Sequence, residues 1–199
     1  MGLPPDPRRA YSYRHRASGE WAHPLHAGPL EDALHTYAEP AWERIGPAIC
    51  AQPRGPGPGL RPWRVLAIGF GRGFEGVALL RLLAQHAPQA RVDFTGLEPD
   101  LAALEPWPPR WPQLGPAEAP WWGAPEGVHR QGSVTVEVVA QRAAAWLSAH
   151  PDFGLDLVFL DLFSPGHAPE DWEPGLWSGL AGAVAPGAGL VDRADRGLL

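Results

Sequence analysis

Residues 64–76, RVLAIGFGRGFEG, decide how the rest of the chain reads. A short apolar run ending at Ile68 leads into Gly69, Gly71 and Gly73 at alternate positions, and EGVALLRLLAQHA (75–87) follows with the apolar spacing of a helix. Strand, glycine-rich loop and helix in that order bring backbone N–H groups and a helix N-terminus against a ligand, because glycine has no Cβ to hold it off. The dinucleotide fingerprint G-x-G-x-x-G asks for its third glycine at position 74, where this chain has Phe74. The spacing here is G-x-G-x-G.

Outward from the loop, RVDFTGLE (91–98) and SVTVEVV (133–139) alternate as strands do, and LDLVFLD (155–161) reads as a buried strand. QRAAAWLSAH (141–150) is helical, a Trp-containing helix is expected over about 170–185, and a short strand near AGLV (188–191) follows. Strands separated by helices predict an α/β domain with a mostly parallel sheet and helices on both faces. Upstream, LEDALHTYAEPAWERIGPAI from Leu30 has helical spacing with Glu31 and Asp32 at the positive end of the helix dipole, and Pro40 is expected to divide it into two helices. Residues 1–28 read as an irregular arm, 29–60 as helices and a Pro/Gly linker, and 61–199 as the main domain. Residues 99–132 resist this pattern, with many prolines and with Trp107, Trp111, Trp121 and Trp122. Two readings stay open for those rings: packing onto the sheet edge, or a pocket wall that offers stacking faces to a base.

Composition narrows the function classes. At 199 residues, 45% hydrophobic and 19% charged, the chain fits one globular domain. All 16 basic residues are Arg and Asn is absent, which we read as codon bias in a GC-rich genome. A net charge of −6 argues against nucleic-acid binding through bulk positive charge, while a local Arg patch could still grip phosphates. Cys50 is the only cysteine, the N-terminus lacks a signal-like apolar run, and no stretch approaches the ~18 apolar residues of a spanning helix, so the expected compartment is the cytoplasm and no membrane partner is expected. His23 and His26 stand three apart without further ligands, and His86, His129, His150 and His167 are scattered, so no metal is expected. Ser164 lacks the G-x-S-x-G context of a hydrolase nucleophile.

Two carboxylates complete the picture. Glu98 closes the second strand, where it can accept both ribose hydroxyls of an adenosine moiety, and with G-x-G-x-G this is the arrangement of class I S-adenosylmethionine-dependent methyltransferases; a structural turn with a surface Glu is the alternative. Asp161 ends the 155–161 strand, where ligands of open α/β sheets sit, and FLDLFSP adds Phe163 and Pro165 to that crevice; a turn-capping Asp is the alternative.

VLAIGFGRGFEG, VDFTGLEPD, GVHRQGSVTVEVV and DLVFLDLFSPGHAPEDW, in that order, together with the upstream HPLHAGPLEDALHTY, resemble the methyltransferase family acting on 5-aminomethyl-2-thiouridine of tRNA, the domain fused to an FAD oxidase in MnmC-type enzymes. The resemblance covers about residues 18–190. It implies methyl transfer from S-adenosylmethionine to the aminomethyl nitrogen of the wobble uridine, with the tRNA anticodon loop as partner and a separate FAD-dependent oxidase supplying the substrate. It further implies a cofactor site of Gly69, Phe70, Gly71, Gly73, Glu98, Gln141 and Arg142, Asp161 as the catalytic group, and His26, Phe163 and Trp172 at the substrate.

Two departures from the family pattern stand out. Gln141-Arg142 occupies the place of a Gly-Asp pair whose Asp bonds adenine, which reverses a charge. The chain is also expected to stop short after strand five, without the final antiparallel pair of a seven-stranded sheet, as a frameshift near residue 190 would produce; the downstream DNA in its other frames tests this. A noncatalytic relic of the fold, and a class I methyltransferase or aminopropyltransferase with another acceptor, are the competing readings.

Overall fold

The computed structural model describes residues 28–51, 61–104, 114, 118–124, 126–166 and 168–192. Its sheet has three central strands that are apolar at most positions, β1 (Trp63–Ile68), β2 (Val92–Leu97) and β5 (Leu155–Leu160), as strands covered on both faces require. Around them stand β3 (Gly127–Gln131), β4 (Val134–Val139) and β6 (Val184–Asp192), in the order β3-β4-β2-β1-β5-β6. All pairings are parallel except β3 with β4. The chain runs outward from β1 to β2 on one side and returns to β5 on the other, so the order reverses at β1 and a crevice opens at the strand ends there.

Alternation along β1 sorts the core. Val65 and Ala67 face a cluster with Phe94 and Phe159 under α1 (Pro29–Ala33), the π-helical turn Leu34–Ala38, α2 (Glu39–Ala51) and α3 (Phe74–His86). Leu66 and Ile68 face the opposite cluster under α4 (Ala143–Ala149) and α5 (Pro174–Ala183). Helices thus cover both faces, as the sequence predicts. Among the described residues no helix is long and apolar enough to cross a membrane.

Three expectations are corrected. Pro40 does not divide the first helix: α1, the π turn and α2 are continuous, and the wider turn ends where Pro40 enters. A proline there has no N–H and would press on the carbonyl one α-turn back, a conflict that widening relieves. The 99–132 region contains a strand that the sequence reading did not place, β3, joined to β4 by the two-residue turn Gly132-Ser133. Gly132 has φ +57°, the left-handed conformation such hairpins need. Finally, α5 ends at Ala183 and β6 begins at Val184, earlier than expected, and the register of β6 on β5 shifts between Leu155 and Leu157. Only its second half reads as a regular strand in the sequence.

Trp121 and Trp122 pack onto the chain's own aromatic rings. Trp121 is fully buried, edge-on to Phe70 at 5.7 Å between centroids, with its indole N–H donating to the Arg72 carbonyl at 3.2 Å. Trp122 meets Phe74 edge-on at 5.6 Å. They pack against the glycine loop and the start of α3, not on a sheet edge; Trp107 and Trp111 lie outside the described residues. Trp121→Ala is expected to cost about 3–5 kcal/mol, read as a lowered denaturant midpoint at unchanged slope. A midpoint within error of the parent's would mean that the loop does not rest on this ring.

Candidate functional site

The loop after β1 turns through three left-handed glycines, Gly69 (φ +81°), Gly71 (φ +50°) and Gly73 (φ +73°), and it is tied down by bonds from the Gly69 and Phe70 N–H groups to the Leu97 carbonyl at 3.0 and 2.9 Å. A Cβ on Gly69 would stand 2.2 Å from the Asp161 carbonyl oxygen, so only glycine lets the loop pass the end of β5. Phe70 belongs to the loop through its backbone; its ring is buried against Phe94 and Trp121.

Glu98 reaches the loop from the end of β2. One carboxylate oxygen accepts the Gly71 N–H at 3.0 Å and the other the Asp100 N–H at 3.1 Å. Burial pushes this carboxyl above the usual carboxylate range, opposed by those two backbone bonds and assisted by the negative charges of Asp100 and Asp171. Each oxygen keeps acceptor capacity beyond one N–H.

Beside it, Gly69, Leu97, Pro99, Gln141, Arg142 and Leu162 line a cleft that Glu170, Asp171 and Glu173 also border. Gln141 and Arg142 are both on the lining of this cleft. Arg142 precedes α4 and bonds Asp171 at 2.5 Å, so its cation is matched by a carboxylate at the cleft and does not stand bare. The cleft is mostly apolar with an acidic rim, which suits a ligand that has a flat apolar group and net positive charge.

Asp161 follows β5 directly, its N–H donating to the Ile68 carbonyl at 2.9 Å, which sets it beside the glycine loop. Phe163 and Trp172 are brought together, the Trp172 indole N–H donating to the Phe163 carbonyl at 2.7 Å across a loop closed by the 3-10 turn Pro169–Asp171. Both are partly buried. His26 lies outside the described residues, as do His167 and residues 193–199, on which the expected loss of a final strand pair turns. Among the described residues no group of three or more His, Cys, Asp or Glu could hold a metal ion. His150 stacks on Trp146 at 4.1 Å between centroids.

The sequence reading missed Tyr37. Its buried hydroxyl donates to the Asp161 carboxylate at 2.5 Å, across 124 positions of chain. The available signal was a tyrosine among apolar positions just before a mid-helix proline.

The chain is similar in sequence and in fold to known proteins. Residues 118–192 match a family described as S-adenosyl-L-methionine-dependent methyltransferases. The chain is 32% identical over 143 residues to the tRNA 5-methylaminomethyl-2-thiouridine biosynthesis bifunctional protein MnmC of Aeromonas salmonicida (strain A449), covering 61% of this chain and 21% of the relative. The MnmC protein of Chromohalobacter salexigens is 33% identical over 131 residues, covering 60% of this chain and 19% of the relative. The chain thus spans about a fifth of the length of these curated relatives. In fold it is similar to the crystal structure of MnmC2 from Aquifex aeolicus, with a TM-score of 0.69 and 23% identity over 90% of this chain and 55% of that one. Over residues 118–192 the chain thus matches the S-adenosyl-L-methionine-dependent methyltransferase family, and over about three fifths of its length it is similar in sequence to the MnmC proteins.

Proposed function

We propose that the chain transfers a methyl group to the aminomethyl nitrogen of 5-aminomethyl-2-thiouridine at the wobble position of tRNA. The observation that carries this reading is the placement of Asp161 at the end of β5, with its backbone against the glycine loop and its carboxylate held by the Tyr37 hydroxyl. The names of the sequence relatives supply the acceptor. Gly69, Gly71, Gly73, Glu98, Gln141 and Arg142 hold the cofactor, with Glu98 on its ribose hydroxyls and the acidic rim facing its positive charge. Bound there, S-adenosylmethionine supplies a methyl group on a sulfonium sulfur, open to in-line displacement by an amine.

The chain's own work is alignment and proton acceptance. The acceptor nitrogen must arrive neutral with its lone pair aimed at the methyl carbon. Asp161 accepts a hydrogen bond from that amine, orients it, and takes the proton that it sheds on gaining the methyl group. Phe163 and Trp172 stack on the base, and His26 stands at the substrate entrance. An oxidase acting earlier supplies the aminomethyl group, and the reaction belongs in the cytoplasm. The test is transfer of labelled methyl to tRNA that carries the aminomethyl group and to tRNA that lacks it. Transfer to the first alone supports the reading; cofactor binding without transfer favours a noncatalytic fold, and equal transfer to both another acceptor.

The pH dependence of cofactor binding follows from Glu98. Ribose hydroxyls bond the ionised form, so affinity falls as pH drops through the raised folded-state value, sooner than for a glutamate at the ordinary 4.5. Stability runs the other way: the folded chain holds this proton more tightly than the unfolded one, so the Glu98 contribution is present below 4.5 and is lost as pH rises through the raised value. Calorimetric titration of the cofactor from neutral pH down towards 4.5 should show the fall in affinity on the acid side. Glu98→Gln should bind more weakly and without that slope; an unchanged slope would assign the effect to another group.

A further inference from the structure

Tyr37 sits on the π turn with its side chain fully buried, its ring edge-on to Phe159 at 6.0 Å between centroids. A phenol taken into the core needs an acceptor, and this one bonds Oδ1 of Asp161 at 2.5 Å, the short range of hydroxyl–carboxylate bonds. The bond joins the helical layer to the end of β5 and ends on the carboxylate assigned to the acceptor amine. We propose that Tyr37 is a positioning residue for methyl transfer: it holds Oδ1, and through it fixes the side-chain rotamer with which Asp161 meets the substrate. The inference rests on the role given to Asp161 above.

The physical reason is the short reach of an aspartate. Its carboxylate turns about two bonds, and a displacement of about 1 Å at a reacting centre can cost on the order of a hundredfold in rate. The backbone of Asp161 is fixed by its N–H bond to Ile68, and the phenol fixes the other end of the residue. Tyr37→Phe removes one oxygen and keeps the ring that packs on Phe159.

Steady-state kinetics of the whole chain on aminomethyl-bearing tRNA, with Tyr37→Phe, Asp161→Asn and the double variant, test this. Tyr37→Phe should lower kcat about tenfold with KM for tRNA and for S-adenosylmethionine within about twofold, and the double variant should be no slower than Asp161→Asn alone within about twofold. Wild-type kcat in Tyr37→Phe beside a slow Asp161→Asn overturns the positioning role and leaves the reading of Asp161 standing. Losses that multiply in the double variant, or a Tyr37→Phe chain that no longer binds the cofactor, assign Tyr37 a structural role instead. Wild-type rates in Asp161→Asn, or no transfer by the parent chain, overturn the reading of Asp161 and the inference together.

Discussion

Gly69→Ala is expected to destabilise the fold by about 3 kcal/mol or more, which for a chain of this size is a fall in Tm of roughly 6–12 °C. Two effects add. A non-glycine residue at φ +81° carries left-handed strain of roughly 1–2 kcal/mol, and the new Cβ would stand 2.2 Å from a backbone oxygen of Asp161, which cannot swing aside as a flexible side chain can. To make room, β1 and β5 must part at the point where the Asp161 N–H bonds the Ile68 carbonyl. Gly123→Ala separates the two effects: its φ of +87° carries the same strain, yet nothing lies within 4 Å of a Cβ there, so about 1 kcal/mol is expected. Similar losses in the two variants would show that the close approach at Gly69 relaxes at no cost.

Asp161→Asn is expected to lower kcat about 10²–10³-fold, with the affinity for S-adenosylmethionine within about threefold of the parent's. The amide is nearly the same size and still accepts the Tyr37 hydroxyl through its oxygen, so the pair with the helical layer survives. What is lost is the charge that receives the amine proton. The cofactor contacts proposed for Glu98 and the glycine loop lie on β2 and the loop after β1, which the substitution leaves in place. Single-turnover transfer measured beside calorimetric binding separates the two; a fall in affinity as large as the fall in rate would make Asp161 a cofactor ligand and not a proton acceptor.

Much of this was legible in the sequence where one residue's chemistry answers to a local pattern. The glycine spacing, Glu98 at the end of β2 and Asp161 at the end of β5 are read from strand ends, and topology alone brings strand ends together. The charge of Arg142 was legible, but its partner was not, because Asp171 comes from a loop 29 positions on. Tyr37 was hidden for the same reason, and β3 because the prolines and tryptophans before it resemble a long insertion more than half of a hairpin. The rings of Trp121 and Trp122 were ambiguous by nature, since an aromatic can stack on a base or pack against another ring.

The π turn in the first helix also has a consequence for phase. Leu30 and Ile49 are both buried against the same cluster, yet they stand 19 positions apart. At about 100° per residue, an unbroken α-helix would leave them about 100° out of phase, at opposite margins of an apolar face. The extra residue taken up by the turn at Leu34–Ala38 cancels that offset. Two stretches with different angular settings thus become one continuous apolar stripe, and Tyr37 lies at the point where the setting changes.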